Sequence, residues 1–306
     1  MTIHPSISVV IPTFNRSKRT LEAIESALEQ TLRPLEVIVV DDHSTDDTVE
    51  RVTSRFGHIV RLIILDQNVG GASARNAGAR TAQGTYIAFL DSDDIWRKDK
   101  LQVQYLHYLS SAPENAPAIA YCRADIDWTV HGKTYCPERG LAINEKVEDY
   151  VMLHEQDIQT SGLFMPLRVF NMIRFKERLA RHQDIDFVIR AQQLGVKFIY
   201  ADNSLYLRRR DDTNRNIGRI RNDDVSFNWI VSIRPFIESR AYHRFMWNRV
   251  MPQIAPRIPL KAFLYAFPAQ LAGEQAFAKL AQILLRSIRL RWNRFAARFA
   301  GVLSRS

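Results

Sequence analysis

The sequence predicts an α/β fold built on a parallel sheet. Three observations point to it. Short β-branched runs alternate with stretches of helical spacing over residues 7–90, each run ends on a polar cluster, and the intervals are long enough for crossover helices. Residues 7–11 form a continuous apolar run, the pattern of a strand buried on both faces, and Pro12 is expected to end it. Residues 16–30 follow as a helix, with Leu21, Ile24, Ala27 and Leu28 on one face. The second strand spans residues 35–40. Behind it, Ser44-Thr45-Asp46-Asp47 offers side-chain acceptors for the free N–H groups of a helix over residues 48–56. A third strand is expected over residues 60–65. Gly70-Gly71 opens a helix from about Ser73 to Thr81, and residues 86–90 form a fourth strand that runs into Asp91-Ser92-Asp93-Asp94. Right-handed crossovers bring the carboxyl ends of such strands to one edge, where ligands bind.

The chain has 306 residues, 46% hydrophobic and 25% charged, a globular composition that excludes a disordered or fibrous chain. Its net charge of +9 would point to nucleic acid or an anionic membrane. Position decides between them. Residues 1–238 carry 30 basic and 32 acidic side chains, whereas residues 239–306 carry 12 basic ones against Glu274 alone. The excess therefore belongs to the C-terminal stretch. There Leu284, Ile288, Trp292, Phe295 and Phe299 recur at helical spacing, with Arg286, Arg289, Arg294 and Arg298 largely opposite. A basic amphipathic helix over residues 277–300 is expected to lie on an anionic membrane surface, the alternative being a helix docked on the rest of the chain; no nucleic-acid partner is expected. Cys122 and Cys136 are too few for a disulfide scaffold, no run of about 18 apolar residues is present, and the N-terminus lacks a signal-peptide pattern. A cytoplasmic protein, peripheral on the inner face of the cell membrane, is the expectation.

Four strand ends carry polar groups: Thr13-Phe14-Asn15-Arg16, Asp41-Asp42, Asp66-Gln67-Asn68 and Asp91-Ser92-Asp93-Asp94. An Asp-x-Asp at a strand end presents hard oxygen ligands to Mg²⁺ or Mn²⁺, which share their shell with substrate phosphates. Asp125-Ile126-Asp127 and Asp184-Ile185-Asp186 have the same spacing without that position. Arg75 and Asn76 stand near a helix N-terminus, where free N–H groups favour an anion. No Gly-x-Gly-x-x-Gly follows the first strand, and neither a Walker-type loop nor a Gly-x-Ser-x-Gly elbow occurs. A dinucleotide dehydrogenase, a P-loop NTPase and an α/β-hydrolase are thereby disfavoured. A site for a metal and a nucleotide diphosphate remains, which suggests transfer from an activated donor.

Residues 8–16 (SVVIPTFNR), 36–48 (EVIVVDDHSTDDT), 71–78 (GASARNAG) and 84–94 (GTYIAFLDSDD) resemble, in order and spacing, the family-2 glycosyltransferases, over about residues 6–210. The resemblance implies a GT-A fold, a mixed sheet that binds a nucleotide sugar, within a domain of residues 1–222. Its donor half would span about residues 1–115 and its acceptor half about 116–222, ahead of a helical region over 223–306. It implies inverting, metal-assisted sugar transfer from a nucleotide sugar, a UDP-sugar by preference, to a glycan or lipid-linked acceptor in bacterial exopolysaccharide or surface-polysaccharide synthesis. Pro12, Phe14 and Arg16 match the loop lining the base and ribose, Asp42 the acceptor of a base N–H, and Arg75 a donor-site position near the base and diphosphate. Asp91 and Asp93 match the metal-binding Asp-x-Asp, with Ser92 between them in the donor site, Asp93 in direct metal contact and Asp91 on the ribose or in a water-mediated role. Asp41 is read as a structural acceptor. Asp184 matches the general base, with Gln183 where the family more often has a second acid; Asp186 and His182 are its rivals. Thr160-Ser161-Gly162 is either an acceptor contact or a loop before a strand. The arginines 208–210 are either solvated or near the diphosphate, and Trp96 is read as core. A sugar-nucleotide nucleotidyltransferase is the enzymatic alternative, though it expects glycines that residues 12–16 lack; a nucleic-acid-binding protein is the other.

Overall fold

The computed structural model describes residues 5–114, 116–130, 133–209 and 223–251. The chain divides into two compact units, Met1–Ile220 and Arg221–Ser306.

In the first unit, β1 (Ile7–Thr13), β2 (Glu36–Asp41), β3 (Arg61–Ile64) and β4 (Tyr86–Phe89) are mutually parallel in the order β3-β2-β1-β4. Crossing between them are α1 (Ser17–Leu28), α2 (Thr48–Phe56) and α3 (Gly71–Thr81). β1 is buried along its whole length, as its continuous apolar run requires. Ile7, Val9 and Ile11 join a core with Leu21, Ile24 and Ala27 of α1 and with Val37 and Val39 of β2. Burial of each large aliphatic side chain there contributes about 1.5–3 kcal/mol. On the other face α3 lies close to the sheet because its inner positions are small. A Cβ added to Gly78 would stand 2.5 Å from Val10 Cγ1 and 3.0 Å from Val40 Cγ2.

One expectation needs correction. Pro12 does not end β1, which runs on to Thr13 in register with Val40 and Asp41 of β2. The Val10 carbonyl accepts from Leu90 N–H, so Val10, and with it Pro12, faces β4; but β4 ends at Phe89. The missing N–H of Pro12 therefore removes no ladder bond.

The sheet continues through β8 (Phe164–Pro166), antiparallel to β4, then β6 (Ala118–Val130), β9 (Lys197–Arg208) and β5 (Ile95–Trp96), while β7 (Lys133–Cys136) pairs with β6 as a hairpin arm. Residues 197–201 and 205–207 each read as a strand in the sequence, yet they form one strand, β9. Its register against β6 jumps from Cys122↔Ala201 to Arg123↔Ser204, and the polar pair Asp202-Asn203 is carried outwards by that bulge. The remaining helices of this unit are α4 (Lys100–Ser111), α5 (Val147–Met152), α6 (Leu167–Ile173) and α7 (Gln183–Gln193). A 3-10 turn, Thr160–Gly162, precedes β8.

The second unit is described over residues 223–251. It contains α8 (Asp223–Ile233), a 3-10 turn Arg234–Phe236, α9 (Ser239–Phe245) and a π-helical turn Met246–Val250. Trp229 packs edge-on against Phe245 at 5.2 Å, and the Arg234 guanidinium lies over the Tyr242 ring at 5.0 Å. The amphipathic helix expected over residues 277–300 lies outside the described residues. No helix among the described residues is long and apolar enough to cross a membrane.

Candidate active site

Parallel β1, β2, β3 and β4 end along one edge of the sheet, and the loops that leave them are stitched together there. Asn15, at φ 51°, accepts on Oδ1 from the N–H groups of Thr45 (2.7 Å) and Asp46 (3.3 Å). In return its own N–H donates to Ser44 Oγ, and that of Arg16 donates to Thr48 Oγ1. Asp41 is fully buried and accepts from Ser44 N–H at 2.8 Å, the role of a structural acceptor at a strand end. Asp42 faces the next loop and accepts from the N–H groups of Val69 (2.7 Å) and Gly70 (2.8 Å). Gly70 reaches that position at φ +85°, a conformation that side chains rarely tolerate. Burial pushes the Asp42 carboxyl up, and the two N–H bonds work against that rise. Phe14 is 42% exposed, an aromatic ring left in solvent at the mouth of the same loop, while Pro12 behind it is buried.

The fourth strand end carries the acids. Asp93 pairs with Arg16 at 2.6 Å, and Asp91 pairs with Arg75. Ser92 and Asp94 are buried. The Asp94 carboxyl is pushed well up by burial and then by the charges of Asp93 and Asp91, against a bond from Ser161 and the charge of Arg208. Three carboxylates in four residues are thus close enough to repel. Among the described residues no three His, Cys, Asp or Glu side chains form a cage for a metal ion. A Mg²⁺ or Mn²⁺ held by one or two carboxylates and completed by donor phosphates fits this arrangement.

Arg75 joins the two sides of the cleft. One guanidinium nitrogen meets Asp91, the other donates to Gln183 Oε1 at 2.8 Å, and the guanidinium stacks over Phe175 at 5.4 Å. A Cβ on Gly71 would stand 3.1 Å from Arg75 Nη1, so glycine leaves the room this pairing needs. Arg75 Nε is buried and finds no acceptor among the described residues. Gln183 also donates to the Leu179 carbonyl and starts α7, whose second residue is Asp184.

Asp184 Oδ1 accepts from Ile185 N–H at 2.9 Å. Its carboxyl is raised to about 6 by burial first and by the charge of Asp157, against Ile185 N–H and Arg208, with Asp91 adding to the rise. Asp157 pairs with Arg208 at 2.8 Å. Burial opposes the charge of Arg208, but Asp157, Tyr206, Asp94 and Asp184 outweigh it and raise its affinity for its proton. Arg209 donates from Nε to the Asp93 carbonyl at 2.8 Å and pairs with Glu22. Two of the three arginines are therefore tied to the acids of the cleft rather than solvated, and Arg210 lies outside the described residues.

Both rivals of Asp184 belong to the same helix or its cap. Asp186 is buried and pairs with Arg190 at 2.8 Å; Arg190 also donates to the carbonyls of Ile173 and Arg174, so this acid braces α7 against the end of α6. His182 occupies the N-cap of α7 at φ +61°. Trp96 is buried in the core, with the Lys100 ammonium 3.8 Å from its ring and its own Nε1–H on the Ser161 carbonyl. Thr160, Ser161 and Gly162 are all buried in the turn ahead of β8. Asp157 was not foreseen, because residues 153–159 carry neither periodicity nor a turn motif.

The family model for glycosyl transferase family 2 matches residues 8–179. Amylovoran biosynthesis glycosyltransferase AmsB of Erwinia amylovora is 36% identical over 200 residues, 63% of this chain and 66% of that protein, so the alignment takes in just under two thirds of the relative. Among solved structures, S. aureus TarS 1–349 in complex with UDP-GlcNAc is similar with a TM-score of 0.59 at 19% identity, covering 93% of this chain and 81% of that one. The mannosyltransferase PcManGT from Pyrobaculum calidifontis, in complex with GDP-Man and Mn²⁺, is similar with a TM-score of 0.56 at 17% identity, over 97% and 84% of the two chains. These likenesses establish a mixed sheet flanked by helices of the GT-A type.

Proposed function

The chain belongs to glycosyl transferase family 2, and from that premise we propose that it transfers a sugar, with inversion, from a nucleotide-diphosphate sugar to a hydroxyl of a glycan or lipid-linked acceptor in the synthesis of a bacterial surface polysaccharide. One observation carries the reading. Arg75 ties Asp91 of the acid turn to Gln183, so a hydrogen-bonded chain from that acid ends on the residue next to the base candidate Asp184. The amylovoran name of the Erwinia relative supports the polysaccharide setting.

In this proposal Phe14 and Pro12 line the base and ribose, and Asp42 accepts a base N–H through the lone pairs its two backbone bonds leave over. A UDP-sugar is the preferred donor. Arg75 places its positive charge beside the diphosphate, and Ser92 holds its place in the donor turn. Asp93 and Asp91 would hold Mg²⁺ or Mn²⁺, which when bound neutralises charge on the leaving diphosphate. Arg16, which pairs with Asp93, belongs to the same base and ribose loop as Pro12 and Phe14. Asp184 takes the proton of the acceptor hydroxyl as that oxygen bonds to the anomeric carbon and the bond from that carbon to the diphosphate breaks. A carboxyl raised to about 6 suits that work, being ionised at neutral pH yet more basic than an exposed aspartate. The family match disfavours a nucleotidyltransferase or a nucleic-acid-binding protein.

The basic, aromatic stretch over residues 277–300 supports contact with an anionic membrane face, where each basic side chain contributes about 1 kcal/mol. A screen of nucleotide sugars with lipid-linked acceptors in anionic vesicles tests both parts. Nucleotide release is expected only with a divalent metal, and truncation at Gln275 is expected to abolish vesicle binding. Full release in chelator would refute the metal role, and undiminished vesicle binding by the truncated chain would refute the membrane contact.

A further inference from the structure

The acid turn is held from behind by a single buried hydroxyl. Ser161 Oγ accepts from the N–H of Asp91 at 3.0 Å and donates to Asp94 Oδ2 at 2.6 Å, thereby clasping both ends of Asp91-Ser92-Asp93-Asp94. Ser161 is 0% exposed, so its side chain is closed to solvent. The 3-10 turn that carries it is itself anchored on three sides. Trp96 Nε1 donates to the Ser161 carbonyl at 3.0 Å, Gln104 Nε2 donates to the Gly162 carbonyl at 2.7 Å, and Cys122 Sγ lies 3.8 Å from that same oxygen. Asp94 carries the connection onward, since its Oδ1 accepts from Arg209 N–H at 3.3 Å while Arg209 Nε holds the Asp93 carbonyl. The turn that presents Asp91 and Asp93 to the cleft is thus fixed between β8's leading turn on one side and the end of β9 on the other.

We propose that Ser161 is a positioning residue for the nucleotide diphosphate and its cation, acting through Asp94 and the Asp91 amide to set the directions of the Asp91 and Asp93 carboxylates. This rests on the reading of Asp91 and Asp93 as donor-site acids. A hydroxyl is suited to the place because it is donor and acceptor at once, and the turn requires both. The proposal moves residues 160–162 from the acceptor side, where sequence resemblance puts them, to the support of the donor.

The test is calorimetric titration of the full chain with UDP or GDP in the presence of Mn²⁺, for wild type, Ser161→Ala, Ser161→Cys, Ser161→Thr, Asp94→Asn and the Ser161→Ala/Asp94→Asn pair, each checked for a cooperative melt. Ser161→Ala is expected to weaken nucleotide binding about tenfold, the effect of losing a buried two-bond hydroxyl. The near-isosteric Ser161→Cys is expected to weaken it as well, so that loss of volume is not the cause, and Ser161→Thr, which keeps the hydroxyl, to restore most of it. In the Asp94→Asn background Ser161→Ala should cost less than in the wild type, because the two act through one another. Wild-type affinity in both folded Ser161→Ala and Ser161→Cys would overturn the proposal. Wild-type affinity in Asp93→Ala would overturn instead the donor-site reading on which it stands.

Discussion

Asp184→Asn is expected to lower kcat about a thousandfold, within the range that removal of a positioned general base produces. The substitution keeps the shape of the side chain and a carbonyl oxygen for Ile185 N–H, so α7 should keep its start. Two further signs separate this from damage to the fold. In the wild type, Asp184 works as a base only when ionised, and its carboxyl is raised to about 6 by burial and by Asp157. The rate constant kcat/KM should therefore fall about tenfold per pH unit below about 6 and level off above it. The same shift makes the ionised carboxylate a burden to the native state. A group whose folded pKa lies above its unfolded one contributes stability at low pH and loses that contribution as pH rises through the folded value. Asp184→Asn should then be more stable than wild type at pH 8, by about 1–2 kcal/mol once screening is allowed for, and no more stable at pH 4. An inactive variant that melts higher at pH 8 is the expected pair of results; full transfer activity would remove Asp184 from the role.

Asp93→Ala is expected to reduce kcat/KM for the nucleotide sugar about a hundredfold or more and to leave what activity survives insensitive to added Mn²⁺. Its removal takes an ion-pair partner from Arg16 but also a like charge from beside Asp94, two effects of opposite sign on stability. Asp91→Ala should differ in kind. Asp91 is the partner of Arg75, and its removal leaves a buried guanidinium held only by Gln183 and the Phe175 ring. That variant should lose donor affinity and melting temperature together, whereas Asp93→Ala should lose function with its melt little changed. Activity assays with a Mn²⁺ titration beside thermal melts check both; a metal dependence unchanged in Asp93→Ala would take the cation away from this residue.

The parallel half of the sheet could be read from sequence because its information is local. Residues 7–11 and 35–40 are apolar runs whose periods and end residues mark strand, edge and loop without help from distant contacts. Reading failed where a contact made far along the chain decides the outcome. Pro12 continues β1 because β4 happens to stop at Phe89, which no property of residues 7–13 announces. Residues 197–207 form one strand because β6 tolerates a bulge opposite Asp202-Asn203. The site divides in the same way. Asp42, Arg75, Asp91, Asp93 and Asp184 stand in motifs and could be nominated in order. Asp157, which raises the base candidate, and Ser161, which clasps the acid turn, act across the fold on partners far from them in sequence. Gln183, which sequence resemblance marks as a missing acid, instead accepts from Arg75 and lies between the donor acids and Asp184.

The stereochemistry of the product bears on all of this at once. With Asp184 proposed as the base and Gln183 where the family more often has a second acid, the proposed reaction is direct displacement at the anomeric carbon. Proton NMR of the first product formed from a sugar linked α to its diphosphate should show a β-linked anomeric proton. An α-linked product would contradict single displacement, and with it the assignment of Asp184 as the base.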